Sequence, residues 1–434
     1  WGSDHEVHAL QRIKRLLGQG RQQSSTLGHQ ALNTVLRDCD IGRLCIMNTL
    51  SEANGTFAIH LLKILCQNNP SKNVCYSPVS ISSALAMVLL GAKRNTALQI
   101  SQTLGLNTDE DIHQHFQWLL HFLNKPNKKY LLKMANRLFA ENTCEFLPTF
   151  KESCLQFYHS ELEQLSFDKA PEESRKHINT WVSKQTKGKI LELLSRGSVN
   201  SETRLVLVNA LYFKGRWRRQ FNLDSTREMP FKINQREEGT VQMMHQEDTF
   251  NYAYVDEVQA LVLEMPYKGK ELSLVVLLPD DGVDLSKVEN NLTFEKLTAW
   301  TNPVIMKSTK VLVFLPKFKL QEDYDMESVF QHLGMADVFQ GGKADLSGMS
   351  PETDLCVSKF VHKSVVEVGE DGGMAAATSA KAIRPLMSLK DNVPVLFVDH
   401  PFLFFIRHKK TNSLLFCGRF AYPVAFRSQT NPTS

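Results

Sequence analysis

His5 and His8, in His5-Glu-Val-His8, come nearest to a metal-binding pair in this chain. Two imidazoles share one helical face at a spacing of four, so this pair reads as solvated surface. Gly369-Glu-Asp-Gly-Gly373 is glycine-rich, but no Lys-Ser/Thr follows and the Rossmann spacing is missing, so phosphate binding is not expected. No Gly-x-Ser-x-Gly occurs, and no Ser, His and Asp stand out as a triad. The cysteines Cys39, Cys45, Cys66, Cys75, Cys144, Cys154, Cys356 and Cys417 form no CxxC and are too sparse for a disulfide scaffold. Several lie in apolar surroundings, which fits buried free thiols of a reducing compartment. What remains fits a spring-loaded binder rather than a catalyst. The run Val365-Val-Glu-Val-Gly-Glu-Asp-Gly-Gly-Met-Ala-Ala-Ala-Thr-Ser-Ala380 starts like a strand, breaks at glycines and continues in small residues. The chain turns apolar again at Asp399-His-Pro-Phe-Leu-Phe-Phe-Ile406. Small side chains make a poor core but add little bulk to a sheet, so this segment suits a loop that can become a strand.

The rest of the chain must hold that loop. With 434 residues, 42% of them apolar, it has material for a large core. Net charge is +4, from 50 basic and 46 acidic residues spread along the chain, so no nucleic-acid partner is expected. No apolar run reaches transmembrane length, so no membrane partner is expected either. Residues 1–46 lack the apolar core of a signal peptide and read as an extension outside the fold. Residues 47–423 read as one domain, and 424–434 as a polar tail.

Phe57, Leu61, Leu62 and Leu65 mark a first helix. Ser77-Pro78 starts another, with Gly91 expected as its cap. Further helices are expected at 109–124, 147–157 and 172–187, the last ending at Gly188. Strands follow: Arg204–Phe213, a hairpin of Ala260–Pro266 and Leu272–Leu278, and Val311–Leu315 closed by Pro316. Asp325–Leu333 reads as a short helix before Gly334. Helices first and strands later argue for an α+β fold.

Several motifs in order resemble the serpin family over about 47–423. They are Asn73 through Ser77-Pro-Val-Ser80, Ala84-Leu-Ala-Met87 to Gly91-Ala92, Asn209-Ala-Leu-Tyr-Phe-Lys-Gly-Arg-Trp217, Leu315-Pro-Lys317, Leu333-Gly-Met335 with Ala344-Asp-Leu-Ser347, and Phe397 to Ile406. The start Leu50-Ser-Glu-Ala-Asn-Gly-Thr-Phe57 is similar to the ovalbumin-like intracellular branch (clade B). Leu61-Leu-Lys-Ile-Leu-Cys66 and Lys317-Phe-Lys-Leu-Gln-Glu-Asp-Tyr-Asp-Met326 resemble the granzyme-B-directed end of that branch. The resemblance implies about nine helices, three β-sheets with a five-stranded main sheet, and an exposed reactive loop over about 370–396. It implies a suicide inhibitor of serine proteases rather than an enzyme, with no cofactor, a monomer in the cytoplasm with the nucleus as a second site. A protease would cleave the loop and form an acyl-enzyme. The freed arm would then insert in the main sheet as a new strand, a strand-addition known for this family.

Carried residue by residue, the resemblance puts Ser77, Ser80, Asn209 and His362 in a polar cluster beneath the opening of the main sheet. Trp217 would stand where the loop enters, with Lys317 and Glu370 paired there. The hinge would be Glu370, Asp371, Gly372, Gly373, Met374, Ala375, Ala376 and Ala377. The family spacing from Glu370 puts the bait at Leu386-Met387, with Met387-Ser388 as the alternative. Leu or Met there suits chymotrypsin-like enzymes or a Met/Leu-preferring granzyme. Gly373 and Met374 depart from the usual Thr and Glu, and a period of two places Lys381 on the face that would be buried. These departures leave a second expectation open, a non-inhibitory serpin that is a substrate or an interaction protein.

Overall fold

The computed structural model describes residues 49–107, 111–126, 128–370 and 393–424. The chain divides into two units, Trp1–Met47 and Asn48–Ser434, and every described residue lies in the second. The expectations for His5, His8, Cys39, Cys45, the tail beyond Val424 and the stretch Asp371–Asn392 fall outside the described residues. That stretch holds Asp371, Gly372, Gly373, Met374, Ala375, Ala376, Ala377, Lys381, Leu386, Met387 and Ser388.

The first half contains α1 (49–68), β1 (Val74–Tyr76), α2 (Pro78–Leu89), α3 (Arg94–Leu104), α4 (Ile112–Leu123), β2 (Tyr130–Glu141), α5 (Pro148–Tyr158), β3 (Leu162–Leu165), α6 (Pro171–Gln185) and β4 (Leu205–Gly215). The second half contains β5 (Arg227–Lys232), β6 (Glu238–Val255), β7 (Ala260–Pro266), β8 (Leu272–Pro279), α7 (Leu285–Asn291), α8 (Phe294–Trp300), β9 (Lys307–Asp325), α9 (Met326–His332), β10 (Lys359–Val368), β11 (Val395–Phe397), β12 (Phe402–His408) and β13 (Ser413–Phe420). Helices dominate the first half and strands the second, the α+β order expected.

Ser77 caps α2, its Oγ accepting the Ser80 N–H, with Pro78 in the first turn. Gly91 does not act as the expected left-handed cap. The cap is Leu90 in right-handed conformation, and a Cβ at Gly91 would lie 2.5 Å from Met349 Cβ. Glycine is needed there for close packing. Helix α6 ends at Gln185, and Gly188 follows at φ +74° with its N–H donating to the Ser183 carbonyl at 2.8 Å, the glycine stop expected. Asp325 caps α9, and Gly334 follows it at φ +95°.

The main sheet has the order β9-β10-β4-β2-β3. β10 pairs antiparallel with β9 and parallel with β4, while β2 pairs antiparallel with β4 and parallel with β3. Strands β6 and β9 are 18 and 19 residues long and pass between layers, so hydrogen bonds link thirteen strands. Pro316 does not close its strand, contrary to expectation, because β9 runs through it. One flank of β9 pairs with β11 up to Phe314 and with β10 from Phe318. Pro316 sits in the gap between these partners, where a missing N–H costs no ladder bond. Ile178 and Val182 of α6, with Ile190, Leu193 and Leu194 of its return loop, pack over β2, β4 and β10 in one buried cluster.

Candidate functional site

Strands β4 and β10 lie side by side in parallel register, from Val206 opposite Lys359 to Lys214 opposite Glu367. Alternation sends Asn209 and His362 to the face that meets α2, and Val206, Val208 and Val361 to the face under α6. Asn209 and His362 are register partners. Helix α2 brings Ser80, and its cap Ser77, against them. The Ser80 hydroxyl donates to Asn209 Oδ1 at 2.9 Å, and Asn209 Nδ2 donates to the Ser80 carbonyl at 3.2 Å. The Ser77 N–H donates to His362 Nε2 at 3.1 Å. Nε2 is therefore the acceptor, and Nδ1 carries the proton it gives to Asn209 Oδ1 at 2.5 Å. Burial pulls the His362 pKa from 6.5 down to about 3. With both nitrogens engaged, this imidazole ties β10 to β4 and α2 rather than moving protons. Ser364 extends the tie, donating to the Cys75 carbonyl at 2.7 Å.

A second cluster surrounds the C-terminal end of β10. Trp217 Nε1 donates to the Gly369 carbonyl at 2.6 Å. Lys317 Nζ lies 2.9 Å from Glu370 Oε2. Burial alone would raise the Glu370 carboxyl, but bonds from Lys317, its own amide and Thr226 hold it below the usual carboxylate range. Thr226, Phe221 and Tyr267 were not anticipated from sequence. The Thr226 hydroxyl donates to Glu370 Oε1 at 2.9 Å, and the Phe221 N–H donates to the Glu370 carbonyl at 2.9 Å. Tyr267 stacks on Trp217 with centroids 4.6 Å apart and planes at 12°. Its place in the β7–β8 turn was the only hint, since that turn brings it back to the Trp217 segment. The two clusters thus gather Ser77, Ser80, Asn209 and His362 at one point and Trp217, Lys317 and Glu370 at another.

The face under α6 is also tied down. Lys363 of β10 donates to the Glu192 carbonyl in the return loop at 2.6 Å. Asn179 of α6 accepts the Leu193 and Leu194 amides and donates to the Leu194 carbonyl. Elsewhere, a cavity of about 790 Å³ is lined by residues including Lys232, Asp281, His400 and Arg419, and none of its lining belongs to either cluster. The six described cysteines are free, and burial pushes the Cys75 thiol up to about 12. Among the described residues no group of His, Cys, Asp and Glu could hold a metal, and no helix is long and apolar enough to cross a membrane.

Known proteins place this geometry. The family model described as Serpin (serine protease inhibitor) matches residues 52–423. The chain is similar to Serpin B9 of Homo sapiens, 68% identical over 377 residues, covering 87% of this chain and 100% of that protein. It is 49% identical over 381 residues to the leukocyte elastase inhibitor of Equus caballus, with the same coverage of 87% and 100%. Among solved structures it resembles uncleaved ovalbumin, with TM-score 0.80 and 37% identity, covering 86% of this chain and 100% of that one.

Proposed function

The chain belongs to the serpin family, in its ovalbumin-type branch, and from that premise we propose that it is an intracellular serine-protease inhibitor acting as a suicide substrate. The protease cleaves a bait beyond Glu370 and forms an acyl-enzyme. The freed arm inserts between β4 and β10 and carries the protease with it before deacylation. The protein itself catalyses nothing.

The observation that carries this reading is the direct parallel pairing of β4 and β10. β10 leads into Glu370, so a chain turning back there would run antiparallel to both strands. One parallel ladder would become two antiparallel ones, which are slightly more stable per residue. About ten added ladder bonds at roughly 1 kcal/mol each are enough to drive a one-way change. The stretch Asp371–Pro385 is longer than the seam Lys359–Glu367, so it has the length to fill it.

The bait is Leu386-Met387, with Met387-Ser388 as the neighbouring choice, and the target is chymotrypsin-like or a Leu/Met-preferring granzyme. The hinge runs from Glu370 to Ala377. The inhibitory body is 47–423, a monomer in the cytoplasm. Gly373 and Lys381 favour one second reading, a serpin cut as a plain substrate. Gly373 costs roughly 0.5–1 kcal/mol in chain entropy, and a buried Lys381 ammonium needs a partner or a route to water. Incubation with such proteases followed by denaturing electrophoresis separates the two. A stable covalent adduct near one protease per inhibitor is expected; clipped chain alone at every ratio would refute inhibition.

A further inference from the structure

On β2, Asn136 lies opposite Asn209, which lies opposite His362, so one row crosses β2, β4 and β10 on the face toward α2. The Asn136 amide is buried, and neither its Oδ1 nor its Nδ2 has a hydrogen-bond partner. Most buried side-chain amides have one. The Asn136 backbone is not the difficulty, since its carbonyl accepts from Ser160 Oγ at 2.8 Å.

The neighbouring seam accounts for the unbonded Nδ2. Asn209 Oδ1 has two lone pairs, and in the closed sheet Ser80 and His362 take both. Asn136 therefore has no acceptor there. The β2–β4 ladder is antiparallel, whereas β4–β10 is parallel and the weaker kind of pairing. A sheet that parts at that seam leaves Asn209 beside Asn136 and separates it from His362. Opposite Cβ atoms of an antiparallel pair are about 4.5–5.5 Å apart, within reach of an amide–amide bond.

We propose that Asn136 is a positioning residue for sheet opening, unpartnered while the sheet is closed and bonded to Asn209 once β10 moves away. Asn209 Oδ1, freed of the His362 proton, accepts from Asn136 Nδ2. The orphaned amide disfavours the closed sheet and the new bond favours the open one, so both effects push toward insertion. The proposal rests on the strand-insertion reading, but its test needs no protease.

The test uses the uncleaved full chain and a synthetic peptide copying Gly372–Ile383, whose insertion is followed by mobility in urea gels. Asn136→Leu keeps the branched four-atom side-chain skeleton and removes the amide; Asn136→Ala is the second variant. Asn136→Leu should raise the thermal midpoint of the uncleaved protein. Both variants should slow peptide insertion on the order of tenfold, even if the alanine cavity lowers its midpoint. A purely structural amide would weaken closed and peptide-filled forms alike and leave the insertion rate unchanged, which would overturn the proposal. A wild-type chain that refuses the peptide would overturn it too. A chain that takes the peptide, shows the slowed variants and inhibits no protease would refute suicide inhibition and leave the Asn136 assignment standing.

Discussion

With Nε2 accepting from Ser77 and Nδ1 donating to Asn209, His362 has no site for a second proton. Burial lowers its pKa from 6.5 to about 3. Between those values the unfolded chain binds a proton that the closed protein does not. This contribution is therefore complete above pH 6.5 and is lost as pH falls toward 3, by up to about 1.4 kcal/mol per pH unit. The thermal midpoint should drop across this range, and His362→Ala should flatten the drop while lowering the neutral-pH value. Parallel pH profiles for the two proteins would rule out His362 as the titrating group. Glu370 has the opposite charge type but the same direction of dependence. Its pKa is depressed, so its contribution is present above the ordinary carboxylate pKa and lost as pH falls through the depressed one. Lys317→Met would leave that carboxylate largely buried without its ammonium. A loss of about 1–3 kcal/mol is expected in urea unfolding; an unchanged midpoint would mean that Thr226 and the backbone suffice.

At the scale of elements, α6 and its return loop form a clasp over the seam. Asn179 holds the Leu193 and Leu194 amides, and Lys363 ties the loop to β10. Asn179→Ala would strand two buried amides, costing about 2–4 kcal/mol, and should speed insertion of the loop-mimic peptide. Faster unfolding without faster insertion would show that the clasp stabilises the fold but does not gate the sheet. The elements most legible in the sequence are those ended by local chemistry. Ser77-Pro78 starts α2, Gly334 follows α9, and the β7–β8 hairpin carries its glycine at the turn with φ +83°. Pro316 and Gly91 misled because their meaning depends on distant chain. One sits in a gap between β11 and β10, and the other sits against Met349. The site divides in the same way. Ser77, Ser80, Asn209 and His362 stand in recognisable motifs, whereas Thr226, Tyr267 and Asn136 gain meaning only from pairing across the sheets.

The described body is built on a main sheet closed between β4 and β10 by a parallel ladder, and in the sequence a segment of small residues follows β10. That segment should favour insertion through Ala375, Ala376 and Ala377 and oppose it at Lys381. Lys381→Leu should lower the number of inhibitor molecules consumed per protease; an unchanged stoichiometry would mean that the ammonium escapes burial. The central claim is that the uncleaved protein is held short of its most stable state and that cutting the bait releases it. Thermal unfolding of the intact and the bait-cleaved protein, measured side by side, tests this directly. Cleavage should raise the midpoint by more than about 10 °C, as inserted ladder bonds are added to an otherwise unchanged fold. A cleaved protein that melts at or below the intact midpoint would contradict it.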